Sequence, residues 1–217
     1  MAGYDEESEG ISSSRAVSCH IIGSLGGLNH QCLELLARQA AASAVHPFAL
    51  REVIQWWREL DEAARRRAAD YPFLLFDAGF ADPQRWQRLE GPRVNDGQDP
   101  AYAAFFTVPD AVAVTRSVFV LAASMVLLQR TYASLALGMH PKCVNIIAAH
   151  SILEMQQMAE RAWTWLTPRW AQRPEIWREL LSAGVEGGDA HRHARMYGMR
   201  LVEADVAAAA RTRRRPG

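Results

Sequence analysis

The chain has 217 residues, 49% of them hydrophobic and 22% charged, a balance that suits one large globular domain or two small ones. Its 24 Lys and Arg match its 24 Asp and Glu, so the formal net charge is zero. A self-sufficient DNA module draws most of its affinity from phosphate neutralisation and carries a basic excess; neutrality argues against one and leaves room for a weak binder or a subunit that shares DNA with a partner.

The start, "MAGYDEESEG", is acidic and is not a secretory signal. Residues 1–27 read as a disordered, serine-rich arm ending in "GSLGG". That glycine cluster has neither the following Lys-Ser/Thr nor the preceding strand of a phosphate loop, so it is read as a linker. A first helical unit spans residues 28–90. Leu28, Cys32, Leu35, Leu36 and Ala42 share one helical face over Leu28–Ser43, with Gln39 interrupting it. A second helix is predicted over Pro47–Asp70, with the stripe Leu50, Val53, Ile54, Trp57, Leu60 and Ala64. "DYPFLLFDAGF" fits a short strand over Phe73–Phe76 or a short helix capped by Gly79, and "DPQRWQRL" adds a helical turn or two.

"EGPRVNDGQDPAY" supplies a linker over 91–109. A second helical unit covers 110–210 and a basic tail 211–217. A long helix is predicted over Asp110–Leu137, capped by Asp110 and ended by Gly138. Its most apolar run, Val118–Leu128, falls short of the roughly 20 residues of a membrane span. The Trp-rich "AWTWLTPRW" is broken by Pro168, a helix over Pro174–Ser182 stops at Gly184, and a last helix covers Ala190–Ala210. Cys19, Cys32 and Cys143 are too few and too scattered for a disulfide framework and fit a reducing compartment, so a soluble, cytoplasmic protein with no membrane partner is expected.

The two units share short similarities. "SAVHPFALREVI" resembles "LGMHPKCVNII", and "LLFDAGF" resembles "LLSAGV". A duplication would make both His-Pro pairs helix starts; the alternative is chance alignment of alanine-rich helices.

"LGMHPKCVNIIAAHSILEMQQMAERA" carries the clearest local structure. His140 can cap and Pro141 suits the first helical position. Ser151 opens S-x-x-E with Glu154, the capping-box pattern, which restarts a helix without a long loop. In the second helix Ile152, Met155, Ala159, Ala162 and Leu166 are expected on one buried face. The unit is therefore helix, tight turn, helix. It serves either the core or DNA reading, for which Gln156, Gln157 and Arg161 are available while Glu154 and Glu160 repel phosphate. In the first unit Arg51, Arg58, Arg65, Arg66 and Arg67 form either a solvated face or a phosphate-binding strip.

Over "LALGMHPKCVNIIAAHSILEMQQMAERA" the sequence resembles the flagellar master activators FlhC and FlhD and their mobile-element relatives, with Leu137-Gly138 in the place of the "LG" turn. Ile152, Met155, Met158 and Ala159 fill the later places. "EIWRELLSAGVEGGDAHRHARMYGMRL" is similar to the FlhC stretch in which a tryptophan helix ends at a glycine and another helix comes after it. The likeness covers about residues 118–201, and more faintly 28–80. It implies an all-helical transcriptional regulator working in an oligomer. FlhC carries a four-cysteine zinc site; no Cys-x-x-Cys occurs here, and that site is not carried over.

Other chemistry is weak. His191 and His193, two apart, diverge by about 200° on a helix, and no metal site or cofactor is expected. Cys19-His20 lies in the arm, where a nucleophile has no preorganised base, so no catalytic residue is assigned. Trp56, Trp57, Trp163 and Trp170 read as core or interface anchors; adjacent Trp56 and Trp57 cannot both face one core, which puts one of them at a contact surface. The first reading is an all-α, DNA-binding regulator of FlhC/FlhD type, with duplex DNA and a protein partner or its own copies as partners. The rival is a helical adaptor that binds only protein.

Overall fold

Leu25, Leu28, Cys32, Leu33, Leu35 and Leu36 recur at helical spacing and are all buried, which sets helix α1 over residues 23–38. The glycines expected to form a linker are therefore its first turns. A Cβ on Gly26 would lie 3.4 Å from the Asp70 side chain, so a small residue suits the approach to that neighbour. The computed structural model describes residues 23–38, 50–90, 106 and 110–212. Residues 1–22 of the expected arm, His46-Pro47, the linker over 91–105 and 107–109, and the tail beyond 212 lie outside them.

The helix expected over Pro47–Asp70 is two: α2, Arg51–Glu59, and α3, Glu62–Ala69. Apolar spacing continues across the break, but Leu60 is extended and the Asp61 side chain accepts from the Ala64 amide at 2.7 Å, which starts a new helix. Asn29, fully buried on α1, fastens the chain beyond α3: its Nδ2 donates to the Ala69 and Phe73 carbonyls at 3.2 and 2.9 Å, and its Oδ1 accepts from the Leu75 amide at 2.8 Å. Phe76–Asp77 then forms β1. Gly79 turns the chain at φ 78°, and α4 runs over Pro83–Glu90 with Asp82 accepting from the Gln84 and Arg85 amides.

The long helix of the second unit is also two. α5, Asp110–Leu128, ends at Gln129 (φ −150°, ψ 78°), and α6, Arg130–Leu137, turns back along it. The Leu74 amide donates to the Ala136 carbonyl and the His140 amide to that of Phe80, which holds the reversal. Gly138 ends α6 in the left-handed conformation at φ 65°, as its position predicts. α7 spans Pro141–Ala148 and α8 spans Ile152–Ala162, followed by a 3-10 turn at Trp163–Trp165. Thr167–Pro168 is β2, antiparallel to β1 with Phe76 opposite Pro168 and Asp77 opposite Thr167.

α9 covers Pro174–Glu186 and α10 covers Gly188–Thr212, with Gly187 and Gly188 at positive φ between them. Gly184 thus lies inside α9 rather than ending it. Its role is close packing: a Cβ there would sit 2.5 Å from the Ala68 Cα, so α3 and α9 meet where neither has a bulky side chain. The segments proposed as repeats differ, since Leu74–Phe80 holds a strand and a turn while Leu180–Val185 is helical.

The fold is all-α with one small clasp. Its centre is aromatic: Trp86 lies 4.8 Å from Phe119, 5.7 Å from Phe80 and 5.9 Å from Trp165 between ring centroids. Arg169 crosses the clasp, buried at 7% exposure. It donates to the Leu74 and Leu137 carbonyls at 2.8 and 2.6 Å, and its guanidinium lies 3.8 Å from the Asp77 carboxylate. The cation thus satisfies the carbonyl end of α6, where the helix dipole favours positive charge. Gly138 leaves the room, since a Cβ there would lie 3.0 Å from both terminal guanidinium nitrogens.

Candidate functional site

The α7–α8 unit forms as its caps predict. His140 Nδ1 accepts from the Lys142 amide at 3.1 Å, and Pro141 occupies the first turn of α7. At α8 the Ser151 hydroxyl accepts from the Glu154 amide at 3.3 Å, and the Glu154 carboxylate accepts from the Ser151 amide at 2.7 Å and from its hydroxyl at 2.8 Å. These bonds from the Ser151 amide and hydroxyl hold the Glu154 carboxyl below its ordinary range.

α8 buries Met155, Met158, Ala159 and Ala162. Ile152, expected among them, is 38% exposed, and Leu153 beside it is 63% exposed. The difference is geometric. Ile152 sits in the first turn, at the edge of the buried stripe, and Leu153 lies about 100° further round the helix. Gln157, Glu160 and Arg161 are exposed and Gln156 is half-buried. Two of the polar groups are already engaged: Glu160 pairs with Arg116 of α5 at 2.9 Å, and Arg161 donates to the Leu89 carbonyl at the end of α4.

α5 and α8 run antiparallel. Phe106, just ahead of α5, packs on Phe76, whose neighbour Asp77 pairs with Thr167 just beyond α8, so the end of α8 lies by the start of α5. From the Arg116–Glu160 pair, two turns along each helix bring Ile152 level with Ser124 at 1.5 Å per residue. Leu127 and Leu128, 67% and 58% exposed, follow within another turn. Four large apolar side chains are therefore exposed at one end of the α5–α8 pair. The sequence marks none of them as exposed; a helical projection of α5 and α8 reveals them only once the packed faces are known.

The arginines read as a phosphate strip have other work. Arg65 spends its guanidinium inside the fold, donating to the Trp57 and Arg58 carbonyls at 3.1 and 2.9 Å and pairing with Glu34 at 3.3 Å. Arg58 donates to the Ala37 carbonyl near the end of α1, and Arg66 pairs with Glu62 at 2.9 Å. Arg51 and Arg67 are exposed.

The tryptophans divide as adjacency requires. Trp57 is 1% exposed, bonded to Glu34 at 3.1 Å, and is a core residue rather than an interface anchor. Trp56 is half-exposed and, with Glu52, Val53, Arg178 and Ser182, lines a cleft of about 340 Å³ between α2 and α9. Glu52 and Arg178 pair across it at 2.8 Å. Trp163 is half-buried against the core. Trp170 is half-buried at φ 51° and donates to Asp205 of α10 at 2.9 Å.

Elsewhere the described residues gather no chemistry. Among the described residues no three His, Cys, Asp or Glu side chains stand where they could hold a metal. Cys32 is fully buried, and desolvation pushes its thiol up, away from the reactive thiolate. His191 packs 5.1 Å from Tyr71 and places Nε2 3.1 Å from the Asp70 carbonyl, with Nδ1 buried and unpartnered. Burial, then the nearby Arg195, lowers its pKa. By length and composition α5 is long and apolar enough to cross a membrane, which the shorter apolar run counted in the sequence did not suggest; half of that stretch is buried inside the fold. No protein-family model matches the chain, and no curated protein and no solved structure matches it.

Proposed function

We propose that the protein is a helical adaptor that works by binding other protein surfaces. The observation that carries this reading is the start of α8. In a helix-turn-helix that reads DNA, the first residues of the second helix contact base edges and need hydrogen-bonding side chains. Here those positions are Ile152 and Leu153, exposed and apolar, at the same end of the α5–α8 pair as Leu127 and Leu128. Exposed large apolar residues grouped in this way mark interaction sites with apolar partners. The inward bonding of Arg58 and Arg65, the Arg66–Glu62 pair and the zero formal net charge point the same way.

Two measurements test it. Duplex DNA at low salt should not retain the full chain, alone or with host extract. Retention that weakens steeply with salt, at about −0.9 in log–log slope per phosphate contact, would restore the DNA-binding regulator of FlhC/FlhD type. Capture from host extract should yield a protein held by the wild type and lost with Leu153→Glu, a substitution on an exposed side chain that leaves the core untouched.

A further inference from the structure

α10 opens on a pivot. Gly187 and Gly188 both stand at positive φ, 72° and 54°, and a Cβ on either would meet nothing within 4 Å, so the backbone can turn there without moving a neighbour. Just beyond the pivot Asp189, Arg192 and His193 are exposed, and Asp189 and Arg192 pair with each other. His191 is the side chain that ties this turn to the rest of the fold. Its ring packs 5.1 Å from that of the fully buried Tyr71, and Nε2 donates to the Asp70 carbonyl at 3.1 Å. That bond places the proton of the neutral ring on Nε2. Nδ1 is buried with no partner among the described residues, so a second proton would sit there without an acceptor. Ala190 is half-buried, and the next fully packed side chain of the helix is Ala194, a small one.

We propose that His191 is a pH-sensitive latch. Neutral, it holds the first turn of α10 on the Tyr71 ring and the Asp70 carbonyl; as the imidazolium, it leaves them and the turn swings out about Gly187–Gly188. The charges around the ring are of both signs. Burial opposes the second proton most strongly and Arg195, one turn further along α10, opposes it too, while Asp70 at the end of α3 favours it; the balance holds the ring below its ordinary value. Arg195 also bears on Tyr71 and on Tyr132 of α6, and Glu179 of α9 bears on Tyr71. An imidazolium gains water at Nδ1 by leaving this pocket. The two glycines let it leave while Ala194, Gly198 and Val202 stay packed. Opening removes one wall from the Tyr71 ring, whose hydroxyl donates to the Leu180 carbonyl of α9, so acid would bare apolar surface where α3, α9 and α10 meet.

Amide hydrogen exchange of the full chain, read peptide by peptide at about pH 7.5 and about pH 5, tests the latch. An open ring takes its proton at the ordinary 6.5, so protection factors over His191–Ala194 should fall by up to about thirtyfold at the lower pH, while α5 and α8 keep theirs. His191→Gln is neutral throughout and can still donate to the Asp70 carbonyl; it should abolish the fall. His191→Phe keeps the packing on Tyr71 and should give the same answer, which covers poor folding of the glutamine variant. His193→Gln, at an exposed position two residues on, should leave the fall intact. Protection that does not change with pH in the wild type overturns the latch. So does a loss shared equally by α5 and α8, which is acid unfolding of the whole chain. A local loss that persists in the His191 variants, or one that vanishes with His193→Gln, overturns it as well.

Discussion

Asn29 provides a sharp test of how the first helices are held. It is fully buried and makes three bonds to a single stretch of backbone, two donated to the Ala69 and Phe73 carbonyls and one accepted from the Leu75 amide. Asn29→Leu keeps the bulk and removes all three. Each backbone group stranded away from water costs about 1–3 kcal/mol, so the gross loss is about 3–9 kcal/mol. Leucine burial returns about 1.5–3 kcal/mol. Taking the middle of each range, about 6 less about 2, a net loss of about 4 kcal/mol remains, a large part of the roughly 5–15 kcal/mol that holds an ordinary domain together. With an m-value near 2 kcal/mol per molar urea, the midpoint should fall by about 2 M without change in m. Asn29→Asp retains the acceptor for Leu75 but sets a carboxylate against two carbonyl oxygens. It should cost more at neutral pH and recover part of the loss in acid, where the protonated carboxyl donates again. Midpoints within error of the wild type for both variants would refute the claim that Asn29 fastens α1 to the Ala69–Leu75 backbone.

Ser151→Ala removes half of the capping box and should cost about 1 kcal/mol, read as a lower urea midpoint; an unchanged midpoint rejects the cap. Gly184→Ala gains helix propensity but places a Cβ 2.5 Å from the Ala68 Cα, backbone that cannot swing aside, so a net loss of about 2 kcal/mol is expected in thermal melts. His191 titrates below its ordinary value of 6.5, so the unfolded chain takes up its proton first as pH falls. Its contribution to stability is therefore complete above about pH 6.5 and declines below it toward the folded pKa. His191→Gln should flatten that part of the stability–pH curve, and an identical slope in both proteins would dismiss the histidine as its source.

The parts of the fold legible from sequence are those whose cause is local. Gly138, His140-Pro141 and the Ser151–Glu154 box act over a few residues, and α6, α7 and α8 end and begin where those residues place them. The parts misread have distant causes. Gly184 has the look of a helix stop until Ala68 is found against it. Gln129 reverses the chain with neither Gly nor Pro to signal it, because the Ala136 and Phe80 carbonyls receive amides from segments far apart in sequence. Adjacency requires Trp56 and Trp57 to diverge, and the stripe of Leu50, Val53, Ile54 and Trp57 marks Trp57 as the buried one; its bond to Glu34 on α1 is the part that the sequence does not show.

The same distinction separates the two functional readings. A run of arginines is visible in any sequence, and its charge suggests phosphate; what each guanidinium bonds to is not visible. Arg65 spends its donors on the Trp57 and Arg58 carbonyls and on Glu34, so one of the five arginines that could form a phosphate strip is committed to the fold. The apolar run of α5 was equally present in the sequence but reads as core, because an apolar helix in a globular chain is expected to be buried on every side. Packing by α6, α7 and α8 covers only part of it, and the face they leave has Val120 and Leu121 at its middle. An apolar surface of that extent costs free energy in water at roughly 25 cal/mol per Å². A docking partner removes that cost, and a neutral chain offers no long-range repulsion to oppose one.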